Sequence, residues 1–216
     1  SEVIDNASEV SGIARDEFVA ALRLPKTINL PESANGKPEG YLFPATYEID
    51  STDTATTILQ KMTARWKQAA GEMDLKKRAA AAGHTVEEIL TIASILEVEA
   101  GVDDYGKVAR VIENRLALPM RLQLDSTVNY ALGISKLQLT TEQMNHESDY
   151  NTYQVDGLPP GPIGNPGQLA IEAALAPVSG PWLYFVTVDP ANMVTKFCVT
   201  YEDFLVLKEE FKKNVS

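Results

Sequence analysis

Two carboxylates in an apolar run are the residues of this sequence best suited to chemistry. Residues 93–100 read ASILEVEA, with Glu97 and Glu99 two positions apart. Burying a carboxylate without a partner is costly. One kept among apolar neighbours therefore holds its proton and can serve as a general acid. A general acid of this kind protonates the leaving oxygen of a glycosidic bond. The plainer reading is also open: both can be rim carboxylates with their heads in water or paired to Arg or Lys. On a helical wheel, Ile89, Ile92, Ala93, Leu96 and Ala100 centre the apolar face, with Glu87 and Val98 opposite. Glu97 falls on one edge beside Leu90, and Glu99 near the other, between Ile92 and Ile95. About 160° of rotation separates them, so they cannot face each other across one bond.

Polar and aromatic groups able to hydrogen-bond or stack against a ligand follow downstream. RLQLDSTVNY offers Gln123, Asp125, Thr127 and Asn129, and YNTY offers Tyr150, Asn151 and Tyr153. Asp125 and Ser126 read equally well as the N-cap of a helix, and Asn151 as a turn-former. Arg115 follows an inward helix face and suits an internal ion pair, through which Glu99 could organise a site; Arg121 orients a carboxylate or simply solvates a surface. GLPPGPIGNPG at 157–167 is either a rigid wall of a groove or a stiff connector. His84 is expected on the surface and His146 near an acidic patch, and neither has a second ligand at metal spacing. No Ser–base motif and no phosphate-cradling glycine loop is present. Neither a metal nor a cofactor is expected.

The elements that must carry these groups are mostly helical. Residues 1–24 read as helix broken near Ser11–Gly12, and 24–50 as a loop with short extended pieces at Tyr41–Phe43 and Thr46–Ile49. Helices are expected over 51–71 and 74–82. Thr85 three residues before Glu88 is a capping box that opens the carboxylate helix, and Gly101 closes it. Further helices are expected in DDYGKVARVIENRLAL, LDSTVNYAL, TTEQMN, QLAIEAALAP and EDFLVLKEEFKK. WLYFVTV and TKFCVTY alternate as a hairpin across DPANM. The fold class is α+β: a mostly helical domain with a small antiparallel sheet.

Composition narrows the ligand. The chain has 216 residues and a net charge of −11, which disfavours nucleic acid and anionic membrane surfaces and suits a neutral polymer. Its 44% hydrophobic and 23% charged residues are those of an ordinary globular domain with a sizeable core. Cys198 is the single cysteine, so no internal disulfide forms. No apolar run reaches 18 residues.

Taken in order, ASILEVEA, VARVIENRLALPMRLQLDSTVNYAL, YNTYQVDGLPPGPIGNPG, AIEAALAP and LYFVTV resemble the catalytic domain of the endolytic murein transglycosylase, or YceG-like, family. EGYLFPATYEI at 39–49 resembles the block that precedes it. The resemblance implies residues 39–216 as the catalytic domain and 1–38 as the tail of a LysM-like subdomain, with a membrane anchor upstream on the outer face of the bacterial cytoplasmic membrane. It also implies cleavage between N-acetylmuramic acid and N-acetylglucosamine within peptidoglycan strands, leaving 1,6-anhydro ends. The acid it implies is Glu97, the first Glu of ASI-x-E-x-E, with cell-wall synthases as possible partners. A muramidase-type hydrolase and a non-catalytic peptidoglycan-binding scaffold are the alternatives. One departure concerns the last strand: a His in the family's G-x-H-x-F segment is replaced here by Lys196 in NMVTKFCVTYEDF.

Overall fold

The computed structural model describes residues 2–215 and bears out an α+β fold dominated by helices. α1 (Glu2–Ser11) and α2 (Arg15–Leu22) break at Gly12, whose φ of +71° an L residue adopts at a cost. They pack Ile4, Ala7, Phe18 and Ala21 against Ile58, Leu59 and Met62 of α3 (Ala55–Glu72), forming a small core of their own. α4 is Leu75–Ala81. The extended pieces expected at 41–43 and 46–49 pair with nothing, and no strand forms there. Instead Tyr41, Leu42 and Phe43 are buried in irregular chain.

α5 (Val86–Glu99) is the axis of the larger core. The Thr85–Glu88 capping box starts it as expected: the Glu88 N–H donates to the Thr85 hydroxyl at 3.2 Å, and the Thr85 N–H donates to Glu88 Oε2 at 2.7 Å. Residues 89–96 are all buried, so the helix has no solvent face along its middle. A two-sided wheel therefore understates the burial. Thr91 and Ser94, on the face expected to be open, are covered by residues 157–167, and Ser94 Oγ accepts the Ile163 N–H at 3.0 Å. A charge is tolerable on this helix only at its ends.

That 157–167 segment is a strap running alongside α5 in the same direction. Gly161 lies near Glu87, Ile163 bonds Ser94, and the Gly167 N–H donates to Glu97. A third track, residues 37–44, lies against the strap. Lys37 Nζ donates to the Pro160 carbonyl at 3.3 Å, and Asn165 Oδ1 accepts the N–H groups of Gly40 and Leu42 at 2.8 and 3.0 Å.

α6 (Tyr105–Leu116) and α9 (Gln168–Leu175) pack on α5, while α7 (Asp125–Leu132) leads to the four-residue α8 (Thr141–Met144). The hairpin is present as β1 (Tyr184–Asp189) and β2 (Val194–Cys198), antiparallel, with Tyr184 opposite Cys198 and a bulge between Thr187 and Asp189. α10 (Tyr201–Asn214) lies across β1. Among the described residues no helix is long and apolar enough to cross a membrane.

Candidate active site

The two glutamates leave α5 into different surroundings. Glu97 is exposed, and its Oε1 accepts the Gly167 N–H at 2.7 Å. Although the residue borders solvent, its carboxylate sits close to Gly167, and apolar surroundings raise its pKa against that bond. Among the described residues no guanidinium or ammonium pairs with it. It ties the strap to the end of α5.

Glu99 sits between the end of α5 and the start of α7, its carboxyl recessed from solvent. The residue is only partly exposed, and burial of its carboxyl pushes the pKa up, with the neighbouring Asp125 charge pushing the same way. The Ser126 N–H donates to Glu99 Oε1 at 3.3 Å and favours the anion. The buried Ser126 hydroxyl makes no hydrogen bond of normal geometry, though its dipole also favours the charge. Desolvation outweighs both. Ser126 was not expected in this role, because a serine beside Asp125 reads as a cap.

Asp125 does not cap α7; Leu124 occupies the cap position and Asp125 is the first helical residue. Its Oδ1 instead accepts the Tyr153 hydroxyl at 2.5 Å. Burial first, then this bond and the Glu99 charge, raises the Tyr153 pKa, so the phenol stays a donor. Wheel geometry had excluded a facing carboxylate on α5, and that holds. The second carboxylate arrives from α7.

Gln123 precedes this pair on an exposed, left-handed turn with φ of +51°, and its N–H donates to the Thr152 carbonyl at 3.0 Å. A non-glycine residue in this region stores strain, a feature concentrated at functional sites. Thr152 Oγ1 also accepts the Leu124 N–H, and lies 2.9 Å from Thr127 Oγ1. These bonds stitch the 150–153 segment to the start of α7.

Asn151 is placed for structure rather than ligand contact. It is fully buried; Nδ2 donates to the Met144 and His146 carbonyls at 2.9 and 2.7 Å, and Oδ1 accepts the Tyr153 N–H at 3.0 Å. Asn151→Ala leaves those groups unpaired. We expect a loss of about 3 kcal/mol of stability, read as a lowered urea midpoint with little change in the slope.

Arg115 makes no internal ion pair. It is 6% exposed, with Nε donating to the Leu183 carbonyl at 2.6 Å and Nη1 to that of Leu122 at 2.5 Å, and its guanidinium lies 5.1 Å from the Tyr184 ring centre. It exerts only a weak pull on Glu99 and joins β1 to the 121–122 turn. Arg121 is nearer the surface, paired with Asp156 at 2.9 Å. His84 is not exposed as expected: its Nε2 lies 2.9 Å from Glu113 Oε1 and its side chain is 14% exposed. Lys196 is paired with α10, its Nζ 2.7 Å from Glu210 Oε1. Cavities of about 460 and 840 Å³ open near His84, Thr85 and Glu87 at the far end of α5. Neither is lined by Glu97, Glu99, Asp125 or Tyr153, so cavity size does not mark the chemistry.

A model of the YceG-like family matches residues 2–210. An endolytic murein transglycosylase of Bacillus subtilis strain 168 is 37% identical over 177 residues, which are 80% of this chain and 48% of that protein. One of Streptococcus pneumoniae serotype 2 strain D39 is 36% identical over 156 residues, 68% of this chain and 28% of that protein. This chain thus spans about half the length of the Bacillus relative. A YceG-like protein of Listeria monocytogenes, solved by crystallography, superposes with a TM-score of 0.84 at 31% identity over 95% of this chain and 72% of that one. With the match running nearly end to end and the same architecture in a solved relative, the chain belongs to the YceG-like family.

Proposed function

We propose that this chain is the catalytic part of a peptidoglycan lytic transglycosylase that cuts within glycan strands, with Glu99 as its single general acid and base. The observation that carries the reading is a carboxyl whose charged form burial disfavours, set against the start of α7 by the Ser126 N–H and in no ion pair with a described residue. The names of the two relatives supply the substrate class. Glu97, to which the family resemblance pointed, is engaged by the strap and fits a supporting role better.

In this scheme Glu99 gives its proton to the glycosidic oxygen between N-acetylmuramic acid and N-acetylglucosamine. The C1–O bond breaks, and positive charge develops at C1 of the muramoyl residue. Asp125, oriented by the Tyr153 hydroxyl, lies on the same side and favours that charge. The 6-hydroxyl of the same sugar then attacks C1, and its proton returns to the Glu99 carboxylate. Atoms balance without water: one bond is exchanged for an intramolecular ether. Gln123 contributes hydrogen bonds to the bound strand. The setting that follows is the outer face of a bacterial cytoplasmic membrane, near the synthases that make the strands.

Asp125 beside Glu99 also gives a specific reason to keep hydrolysis in view, since two carboxylates serve a muramidase. Digesting purified sacculi in water enriched in heavy oxygen decides. Anhydro ends without label are expected, and labelled reducing ends would convert the assignment to a hydrolase. Binding without cleavage would leave only a scaffold.

A further inference from the structure

Three residues outside the acid's recess converge from separate segments. Tyr130 lies on α7, Tyr150 precedes the Asn151 turn, and Glu39 opens the track beside the strap. The rings of Tyr130 and Tyr150 pack 4.9 Å apart at 43°, and Tyr130 is 37% exposed. Burial first, and then the nearby Glu39 charge, pushes both phenol pKa values up, that of Tyr130 to about 12. Glu39 is held from one side only: Oε1 accepts Asn165 Nδ2 at 2.7 Å, while Asn165 Oδ1 is occupied by the Gly40 and Leu42 N–H groups. The other Glu39 oxygen makes no hydrogen bond to a described residue. Glu39 thus resembles Glu99 in holding a rigid, half-enclosed carboxyl, but has aromatic faces beside it.

We infer that Tyr130, Tyr150 and Glu39 form a saccharide subsite for an N-acetylhexosamine unit of the glycan, toward the end of α5 opposite Glu99. The inference rests on the transglycosylase reading. A pyranose has an apolar C–H face and a rim of hydroxyls. The exposed phenol ring suits the first, and a carboxyl with a vacant oxygen accepts from the second through strong hydrogen bonds. The tyrosines are carried by the elements that also hold Asp125 and Tyr153, but they lie further along α5: a Cβ at Gly161 would be 3.4 Å from the Tyr150 hydroxyl and 3.7 Å from Glu87 Oε1, and Glu87 precedes Glu99 by about 18 Å of helix. That span is several sugar rings. The subsite makes the enzyme read strand length, because a fragment too short to reach Tyr130 loses the contact.

Binding of purified uncrosslinked glycan strands to the Glu99→Gln protein, measured calorimetrically without cleavage, provides the test. On that background Tyr130→Ala and Glu39→Gln should each weaken binding about tenfold, while Tyr130→Phe, keeping the ring, stays within about threefold. Thermal melts of each variant check the fold, and exposed Tyr130 can be removed with little structural cost. Unchanged affinity in both Tyr130→Ala and Glu39→Gln overturns the subsite and leaves the transglycosylase reading standing. No glycan binding by the Glu99→Gln parent, together with no cleavage by the unaltered protein, overturns both.

Discussion

Glu99→Gln is expected to lower glycan cleavage by about 10²–10⁴-fold, the range lost with a general acid, while Glu97→Gln retains most of the activity. The amide matches the shape of the acid and can still accept the Ser126 N–H, but has no acidic proton to give. At position 97 an amide oxygen can accept the Gly167 N–H as the carboxylate does, so the strap stays docked. Turnover of sacculi by the two purified variants separates these outcomes. Stability should move oppositely to activity at position 99. Burial raises the Glu99 pKa above its ordinary 4.5. Its protonation therefore favours the folded state fully below that value, and the contribution is lost as pH rises through the raised one. Above that value the unfolded wild type releases a proton whose loss burial makes costly in the folded state, and Gln has no such proton. Glu99→Gln should melt higher at pH 7, with the difference closing toward pH 4. Stability gained by disarming a site is a common trade.

Gly40→Ala is expected to cost about 2–4 kcal/mol and to abolish activity with it. Gly40 has φ of +89°, a left-handed conformation that strains any L residue. Its added Cβ would lie 2.6 Å from Pro162 Cγ and 3.0 Å from Pro162 Cβ. Neither side can yield cheaply: proline is rigid, and the strap beyond it is fixed by the Ile163–Ser94 and Gly167–Glu97 bonds. The collision pushes the strap from the 37–44 track, breaking the bonds from Gly40 and Leu42 to Asn165. Chemical denaturation followed by circular dichroism checks the stability, and Gly36→Ala is the control. Gly36 is also left-handed, at +81°, but its nearest atom would be 4.0 Å away, so only the backbone strain should register.

Local chemistry made the helices legible. The Thr85–Glu88 box, the break at Gly12 and the alternation of β1 and β2 are decided by residues a few positions apart. Asp125 and Tyr153 stand out individually in the sequence, but nothing in it places them beside Glu99. A wheel knows only its own helix, and nothing in ASILEVEA says which edge α7 will cover. The distinction between Glu97 and Glu99 is a matter of tertiary packing: the strap reaches one and α7 the other. Asn151 and Arg115 show the same limit, since a buried polar residue and a contact residue read alike until their partners are known. Glu39 and Asn165 lie 126 positions apart in segments of Pro and Gly. Without periodicity such segments give little sign of what they pack against.

Titrating the Glu99 carboxyl in the folded protein, by carbon NMR with Glu99→Gln to assign the signal, tests most directly whether a proton is held ready between the end of α5 and the start of α7. A midpoint clearly above 4.5 is predicted, coinciding with the pH at which cleavage begins to fall. A midpoint at or below 4.5, with activity persisting well above it, would contradict the assignment of Glu99 as the acid.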